Sequence, residues 1–388
     1  MNKQRFRRIP LYRRKFLDLI LKIIDYFYLK TNYQVLMKPR KIISTFNANV
    51  LYLIENRGWA IYWDAKYIID NLKKFNLIDA EISTDIIAKN KIIHWGSVPL
   101  VIRSNALAHL DPSNINILTW FHVLDDDKKV KFIPILNKKI DIFHTASNIT
   151  KTKLINHGIL EEKIVVTPTG VDINLFKRFS EDKRKLLKKK YNLPQDKFII
   201  GSFVKDGTGW GDGLEPKYIK GPDIFCEVVK KLNENYDIHI FITGPSRGYV
   251  KNKLKEYNVP YTFTFLRNYF DMVECYNAID LYLITSRVEG GPKGSLEAIA
   301  SGVPVVATSV GWIPELITNG VNGYLAAVDD IDKLYEYSAK LINSQTLRND
   351  FIENGLKIIK KYSWENVAKN YYQKIYKKVL NLDKLNSN

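Results

Sequence analysis

The sequence contains very little cysteine. Only Cys226 and Cys275 occur in 388 residues, far apart and without the spacing of metal ligands. A disulfide scaffold and a structural zinc site both need several cysteines at close spacing, so both are excluded. We therefore expect a protein of a reducing compartment.

Long apolar runs are also missing. No stretch reaches the roughly 18–20 uncharged apolar residues that span a bilayer. The most apolar segment, residues 16–29, is interrupted by Asp18, Lys22 and Asp25, which fall on one helical face behind a basic cluster. This pattern predicts a basic amphipathic extension over residues 1–41. We expect it either to lie on an anionic membrane surface or to pack on its own domain. The charges disfavour a signal peptide.

Acidic residues are too few to balance the basic ones, and the formal net charge is +18. Residues 1–41 hold 12 lysines and arginines against two aspartates, which is about +10 of that excess. Such a balance indicates polyanionic partners: nucleic acid, an anionic membrane or phosphorylated substrates. The 46% hydrophobic content excludes a disordered chain, and the length suits two domains of about 150–200 residues.

Short β-branched runs alternate with helical patterns along residues 42–190. Buried parallel strands are predicted at residues 50–54, 91–95, 115–121, 140–145 and 164–167. Helices are predicted between several of them, for example over residues 61–72 and 149–156. This alternation predicts a doubly wound α/β sheet, so we assign residues 42–190 to an N-terminal Rossmann-like domain.

A second alternating series follows a charged stretch, residues 177–190, that predicts a surface helix at the domain junction. Strands are predicted at residues 198–204, 238–242, 261–266, 281–285, 303–307 and 323–326. Helices are predicted at residues 222–232, 250–257, 272–277, 293–301 and 331–343. We assign residues 191–360 to a C-terminal Rossmann-like domain. Residues 361–388 are predicted to supply a long basic helix, over 364–380, that crosses back to the first domain.

The stretch from residue 281 to 316 carries the clearest chemical signal. Pro292 is expected in the first turn of a helix that starts at the carboxyl edge of a parallel sheet, where α/β proteins bind ligands. The amides of Lys293, Gly294 and Ser295 are expected to point at an anion. The preceding pair of glycines, at 290 and 291, would let a ligand approach the backbone closely.

Two carboxylates, Glu289 and Glu297, flank this helix start. Eight helical residues would separate them by about 12 Å. The carboxylates of a glycosidase lie only about 5–9.5 Å apart, so the spacing disfavours that chemistry. It better suits two acceptors that bind hydroxyls at two places on one elongated ligand, such as a sugar joined to a ribose. Solvated surface glutamates are the alternative for the pair taken alone.

The surrounding sequence resembles the family-4 retaining glycosyltransferases, which have the GT-B fold. Glu289 and Glu297 match their E-x7-E signature, and SRVEGGPKGSLEAIASGVPVVATSVGWIPELITNGVNGYL resembles their sugar-nucleotide segment. KIVVTPTGVDINLF is similar to the end of their N-terminal domain, with Thr169 where Asn is usual. IIGSFV with IKGPDIF resembles their phosphate-clamp region, and YSWENVAKNYYQKIY their closing helix. The resemblance covers about residues 45–378 and implies two Rossmann-like domains that face a central cleft.

The resemblance implies a role for each matching residue of the C-terminal domain. Glu289 would bind hydroxyls of the donor sugar and Glu297 those of the ribose, while the amides after Gly291 contact the sugar and the diphosphate. Lys205 and Lys220 occupy the places of the cations that clamp the diphosphate and stabilise its charge as it leaves. The loop between these lysines, residues 206–219, is longer than usual, and its Lys217 competes for the same role.

The N-terminal domain contributes two further candidates. His122 resembles the histidine that faces the donor sugar across the cleft. Gly58 is the one candidate for close approach to phosphate in a loop that is usually richer in glycine. Asp125 and Asp127 satisfy a D-x-D metal motif, but three successive aspartates after a strand are more typical of a solvated loop. Since the family generally works without a bound metal, we expect no metal ion and no cofactor.

The predicted function is that of a retaining, hexosyltransferase-type enzyme. It would move a sugar from a nucleoside diphosphate sugar to a hydroxyl of a glycan or a lipid-linked acceptor in envelope polysaccharide synthesis. The predicted location is the cytoplasm, peripheral to the inner face of the cytoplasmic membrane. A basic nucleic-acid-binding protein is one alternative, although no nucleic-acid motif supports specific binding. Another GT-B enzyme that acts on sugar phosphates is the second alternative.

Overall fold

The structure, a computed structural model, describes residues 48–55, 60–84, 88–103, 106–124, 126–209 and 211–380. The predicted extension over residues 1–41 lies outside the described residues, and so does Gly58. Among the helices that are described, none combines the length and the apolarity needed to cross a membrane.

The first sheet has six parallel strands in the order β2-β1-β3-β6-β7-β8. These strands are β1 (Val50–Leu53), β2 (Ala80–Ser83), β3 (Ile92–Trp95), β6 (Ile115–Thr119), β7 (Ile142–Thr145) and β8 (Ile164–Val166), and β4 (Ile102–Arg103) with β5 (Ala106–Leu107) forms a separate antiparallel pair. The five predicted strands are present, with ends shifted by up to two residues. Strand β2 was not predicted because it lies at the sheet edge, where only part of its sequence AEIS is apolar.

The helices of this half alternate with its strands. They are α1 (Ala60–Lys74), α2 (Val98–Val101), α3 (Ile133–Lys139) and α4 (Asn148–Asn156), and α5 (Glu181–Lys190) follows at the junction. The charged stretch predicted as a surface helix is thus α5, whose Leu187 alone is buried.

The second sheet has six parallel strands in the order β11-β10-β9-β12-β13-β14. They are β9 (Phe198–Ser202), β10 (Ile238–Thr243), β11 (Tyr261–Thr264), β12 (Leu281–Ile284), β13 (Val305–Thr308) and β14 (Tyr324–Ala326). Its helices are α6 (Pro222–Asn233), α7 (Gly248–Glu256), α8 (Met272–Asn277), α9 (Lys293–Ala300), α10 (Ile313–Leu316), α11 (Ile331–Asn343) and α12 (Gln345–Ile358). The two parallel sheets confirm the predicted pair of Rossmann-like units.

The end of the chain packs against the first sheet's helices. It consists of α13 (Trp364–Tyr371), a π-helical turn (Tyr372–Tyr376) and α14 (Lys377–Leu380), so the single helix predicted over residues 364–380 is interrupted. The ring of Trp364 stacks on Tyr67 of α1 at 5.1 Å between centroids. Buried side chains of this segment share one hydrophobic core with strands of the first sheet.

A buried hydrogen-bond chain also joins this segment to the first sheet. The chain runs Tyr376–His94–Thr119–His144–Thr167, with separations of 2.8, 2.8, 3.0 and 3.0 Å. Its last acceptor is the carbonyl of Thr167, which can only accept, so His144 donates from Nε2 and each group before it donates in the same direction. Burial lowers the pKa of His144 to about 4 and that of His94 well below its usual value, so both imidazoles are neutral near pH 7.

Candidate functional site

The predicted site residues of the C-terminal domain gather at the carboxyl edge of its sheet. The strand order reverses between β9 and β12, and a crevice at such a reversal is where α/β sheets bind ligands. Lys205 follows β9, and Glu289 follows β12. The sheet topology thus brings Lys205 and Glu289, which are far apart in the sequence, to the same edge of the sheet.

Lys220 is placed there by a tight junction between two loops. Gly221 has a φ of 61°, and a Cβ atom at this position would lie 1.8 Å from the carbonyl oxygen of Thr285. The amides of Arg287 and Val288 both donate to the carbonyl of Ile219, at 2.9 and 3.1 Å. Only glycine fits this approach, which holds the loop before α6 against the loop after β12.

Glu289 lies between Lys220 and a serine. Lys220 Nζ is 2.6 Å from Glu289 Oε2, and Ser286 Oγ donates to Glu289 Oε1 at 2.9 Å. A carboxylate has about four lone-pair sites, so Glu289 keeps two for hydroxyls of a ligand. The pair is largely buried, with 10% of the Glu289 side chain and 20% of the Lys220 side chain exposed.

Lys217 lies within electrostatic reach of two other lysines, Lys205 and Lys220. Desolvation and the charge of Lys217 lower the pKa of Lys205. Desolvation and the charge of Lys220 lower the pKa of Lys217, while Glu289 opposes that shift. Glu289 thus faces Lys217 and Lys220, and two ammonium groups beside one carboxylate favour an anionic ligand.

The long loop that carries Lys217 has a defined structure on either side of Trp210, which is not described. Its base is fixed by a hydrogen bond from the amide of Lys217 to the carbonyl of Asp206 at 2.7 Å. The Asp206 carboxylate forms a fully buried ion pair with Arg247 at 3.0 Å. Gly213 packs so closely on Ser246 that a Cβ atom would come within 2.3 Å of its carbonyl oxygen. The loop therefore presents Lys217 from a rigid support.

His122 belongs to the other domain but lies beside the same cluster. It follows β6, and the preceding residue, Phe121, contacts Gly290 through its carbonyl oxygen. Protein atoms desolvate the imidazole, and together with the charges of Lys220 and Lys217 they lower the pKa of His122 despite the opposing charge of Glu289. The ring is consequently neutral at pH 7 and can donate or accept one hydrogen bond.

The start of α9 differs in detail from the expectation. Pro292 precedes the helix as its N-cap residue, with a ψ of 105°, and does not lie in the first turn. The amide of Ser295, expected to face an anion, donates to the carbonyl of Pro292 at 3.0 Å, because the first turn closes tightly. The amides of Lys293 and Gly294 remain at the helix N-terminus, where the helix dipole favours an anion.

The two glycines before α9 are approached by protein groups. A Cβ atom on Gly290 would lie 2.2 Å from the carbonyl oxygen of Phe121, and one on Gly291 would lie 1.9 Å from the ring of Trp312. We expected these glycines to make room for a ligand. Instead Gly290 makes room for the N-terminal domain, and Gly291 makes room for a buried indole.

Glu297 is buried inside its domain and bound by tyrosines. Tyr276 donates to Oε2 at 3.0 Å, and Tyr269 donates to Oε1. Burial raises the pKa of Glu297, while the two tyrosine hydroxyls and the charge of Lys293 lower it. Neither tyrosine was singled out from the sequence, although the seven-residue spacing of Tyr269 and Tyr276 indicates one helical face.

Lys293 links the domains through its side chain. Its ammonium group forms an ion pair with the buried Asp64 of α1 and lies 5.5 Å from the centre of the Trp364 ring. Sequence reasoning assigned only the amide of Lys293 and missed Asp64, because no local pattern distinguishes an aspartate on an amphipathic helix. Burial raises the pKa of Asp64, and Lys293 opposes that shift.

The D-x-D motif is only partly described, since Asp125 lies outside the described residues. Asp127 caps the turn that follows, accepting from the amide of Lys129 at 3.0 Å. Within the ranges that the structure covers, no group of three or more His, Cys, Asp or Glu side chains has the geometry of a metal site.

The fold and the site together define a two-domain GT-B protein with lysines grouped at the switch point of its C-terminal sheet. Residues 214–358 match the family described as Glycosyl transferases group 1. The solved structure of Anabaena HepE in complex with UDP and glucose superposes with a TM-score of 0.68 at 16% identity, covering 85% of this chain and 100% of that one. Sucrose-phosphate synthase from Thermosynechococcus elongatus gives 0.65 at 14% identity, covering 85% and 98%. These likenesses confirm the GT-B fold.

Relatives in sequence include glycosyltransferases of several activities. An uncharacterized glycosyltransferase of Methanocaldococcus jannaschii is 32% identical over 149 residues, which is 38% of this chain and 41% of that protein. The capsular polysaccharide biosynthesis glycosyltransferase CapM of Staphylococcus aureus is 26% identical over 62% of this chain and 65% of its own length. N-acetyl-alpha-D-glucosaminyl L-malate synthase of Bacillus anthracis is 24% identical, covering 75% of each chain. The chain thus matches less than two thirds of the length of the first two relatives.

Proposed function

We propose that this protein is a retaining glycosyltransferase that moves a sugar from a nucleoside diphosphate sugar to a hydroxyl of a glycan or a lipid-linked acceptor. The observation that carries the proposal is the pair of Lys217 and Lys220 beside Glu289, ahead of the start of α9, with Lys205 close to Lys217. Diphosphate oxygens fit the lysines and the helix amides, and sugar hydroxyls fit the carboxylate. CapM acts in capsular polysaccharide biosynthesis, which supports an acceptor of the envelope-polysaccharide class.

In the proposed reaction, the chain's own residues bind and polarise the donor. Lys205, Lys217 and Lys220 neutralise the negative charge that grows on the leaving nucleoside diphosphate, which lowers the barrier to its departure. Glu289 holds hydroxyls of the sugar, and Glu297 those of the ribose through the lone pairs that Tyr269 and Tyr276 leave free. The neutral His122 contacts the sugar from the opposite domain.

The acceptor hydroxyl attacks the anomeric carbon from the face that the diphosphate leaves. Its proton passes to a diphosphate oxygen as the bond from that carbon to the leaving oxygen breaks, so configuration is retained. This step needs no protein nucleophile and no metal ion. Closure of the cleft limits hydrolysis by excluding water.

Replacement of Glu289 by Ala separates donor binding from turnover. We expect transfer to fall by about 100-fold or more, because a group that stabilises the reacting sugar is lost. Affinity for the free nucleoside diphosphate should be unchanged or higher, since Lys220 no longer forms an ion pair with Glu289. A thermal-shift panel of nucleoside diphosphates and their sugars identifies the donor, since binding stabilises the native state. Product analysis then tests retention.

The matched control is Glu353→Ala, an exposed glutamate of the same domain that pairs only with Lys357. This variant should keep full transfer activity. Full activity of Glu289→Ala would contradict the assigned role. Sequence-selective binding of DNA, without binding of any nucleoside diphosphate, would support the nucleic-acid alternative.

A further inference from the structure

A strongly basic surface lies on the N-terminal domain, on α3 and the turn before it. This stretch, residues 128–139 with the sequence KKVKFIPILNKK, contains five lysines and no acidic residue. Lys128, Lys138 and Lys139 form no hydrogen bond or ion pair with any part of the chain that the structure describes. Their positive charge is therefore open to an external partner.

Apolar side chains project from the same surface. Ile133 and Leu136 of α3 are buried, whereas Ile135 on the outer side is 45% exposed. Leu160 is 44% exposed on the neighbouring segment, which the side chain of Asn137 binds by donating to the carbonyl of Gly158 at 2.8 Å. Ile135 and Leu160 thus place two aliphatic side chains beside the lysines of this surface.

Two nearby carboxylates are paired with other lysines, whereas Asp126, two residues before Lys128, is exposed and forms no ion pair in the part of the chain that the structure describes. Asp127 lies 3.3 Å from Lys129, and Glu161 lies 2.8 Å from Lys151. Lys163 adds charge beneath the helix, since its ammonium group donates to the carbonyls of Asn137 and Ile140. The five lysines of the stretch outnumber the four aspartates that flank it at 125–127 and 141, and none of the three open lysines forms an ion pair with a described carboxylate.

We propose that this surface, the α3 face formed by Lys128, Lys138, Lys139, Ile135 and Leu160, docks on an anionic lipid membrane. Lysines next to an anionic leaflet each contribute about fivefold in affinity, and the aliphatic tips enter the boundary between headgroups and acyl chains. A nucleic acid would bind the lysines but would leave Ile135 and Leu160 against water. Residues 1–41 are themselves strongly basic, so like charge opposes their covering this face.

The α3 face adjoins the cleft described above. Lys129 at its edge is close enough for its charge to lower the pKa of His122. If the proposed transfer reaction holds, a lipid-linked acceptor in the membrane reaches the cleft directly from the docked surface. Docking itself does not depend on that reaction.

The test uses the full chain and vesicles of phosphatidylcholine with or without phosphatidylglycerol. A Lys128→Ala, Lys138→Ala, Lys139→Ala triple variant should bind the anionic vesicles about 100-fold more weakly than the parent, as expected for three basic contacts. The control replaces Lys357, Lys360 and Lys361 of the C-terminal domain by Ala, which removes the same charge from another exposed face. The control should weaken vesicle binding by less than about threefold, since only the general field of the protein changes.

A second variant tests the apolar contact. Ile135→Ser keeps every charge and should weaken binding to anionic vesicles by about fivefold, without changing the weak binding of a short DNA duplex. Equal losses in the two triple variants, or no loss in the α3 variant, would overturn the proposal. So would a loss of duplex binding as large as the loss of vesicle binding.

Two measurements keep this test separate from the proposed enzyme activity. Thermal unfolding tests whether each variant is folded. We expect unchanged melting temperatures, because all the replaced side chains are exposed. Nucleoside diphosphate binding should be the same in every variant. A protein that docks normally but binds no nucleoside diphosphate would sink the enzyme proposal and leave the membrane surface intact.

Discussion

At the scale of single residues, the site is held in an electrostatically unfavourable state. Lys217 is repelled by both Lys205 and Lys220, and Glu289 offsets part of the positive charge of Lys217 and Lys220. A bound diphosphate would relieve this repulsion and release Glu289 from part of its interaction with Lys220. The same groups thus account for affinity toward an anion and for a carboxylate that becomes available once the anion is present.

Lys217→Ala tests the contribution of the long loop. Affinity for a nucleoside diphosphate should fall by about 5–10-fold, the loss expected for one partly exposed charge contact, while affinity for the bare nucleoside stays unchanged. Isothermal titration with both ligands measures the difference. Lys251→Ala, which removes a lysine on α7, serves as the control. Equal losses for the nucleoside and the diphosphate would show that Lys217 supports the fold and does not contact phosphate.

At the scale of secondary-structure elements, the end of the chain is part of the first domain's structure. The hydrogen-bond chain from Tyr376 to Thr167 crosses three strands and passes through two fully buried imidazoles. Protonation of His94 or His144 would place a charge in this buried site, which desolvation disfavours. The contact between the C-terminal helix and the first sheet is consequently sensitive to acid.

This arrangement predicts a pH dependence of stability. The pKa of His144 is about 4 in the folded state and about 6.5 when unfolded, so the unfolded state binds more protons between these values. The stability that the neutral imidazole contributes is fully present above about pH 6.5. It decreases as the pH falls, and the loss from this group is about 3 kcal/mol near pH 4. Urea unfolding at a series of pH values from 7 to 5 measures it.

The unfolded state of the parent binds more protons than its folded state in this pH range. His144→Asn should reduce that difference in bound protons by about one. The exposed His109 provides a control, and His109→Asn should leave the pH dependence of stability as it is in the parent. An unchanged pH dependence in His144→Asn would show that the buried imidazole is not the acid-sensitive group.

At the scale of the whole molecule, the domains meet at the candidate site itself. Phe121 of the first domain contacts Gly290, Asp64 pairs with Lys293, and Glu315 accepts from the amide of Asn148 at 2.7 Å. The first two contacts involve Gly290 and Lys293, which follow Glu289 within four residues. Relative movement of the domains and occupation of the site are therefore coupled.

Gly290→Ala should hinder closure of the cleft. A Cβ atom would lie 2.2 Å from a backbone oxygen that cannot move without its strand, so the closed arrangement is lost while each domain's core is untouched. We expect a larger radius of gyration by small-angle scattering, transfer reduced by about 100-fold as positioning is lost, and a nearly unchanged melting temperature.

Gly320→Ala is the control for this prediction. Its Cβ atom would have only the Tyr324 ring nearby, at 4.0 Å, on a turn whose φ of 77° already favours glycine. It should lower stability slightly and leave the radius of gyration unchanged. A Gly290→Ala protein with normal dimensions and activity would refute the closing role of this contact.

The main features of the fold could be predicted from the sequence because buried parallel strands are short β-branched runs, and these are recognisable without their partners. Strand β2 escaped because an edge strand buries fewer side chains. The π-helical turn at Tyr372–Tyr376 escaped because no residue type marks it. In the site, Glu289, Lys220 and Lys205 could be named from spacing and resemblance, and the structure groups them; their roles stay predictions.

The sequence alone determined the alternation of strands and helices, the order of the two Rossmann-like units and the residue types able to meet an anion and a sugar, because those properties are local. Only the tertiary structure decided which groups meet. In the structure Lys220 forms an ion pair with Glu289, and two tyrosines donate hydrogen bonds to Glu297. The carbonyl of Phe121 lies beside Gly290, where a ligand was expected. Such pairings depend on loops from distant parts of the chain converging at one sheet edge, which spacing along the chain does not record.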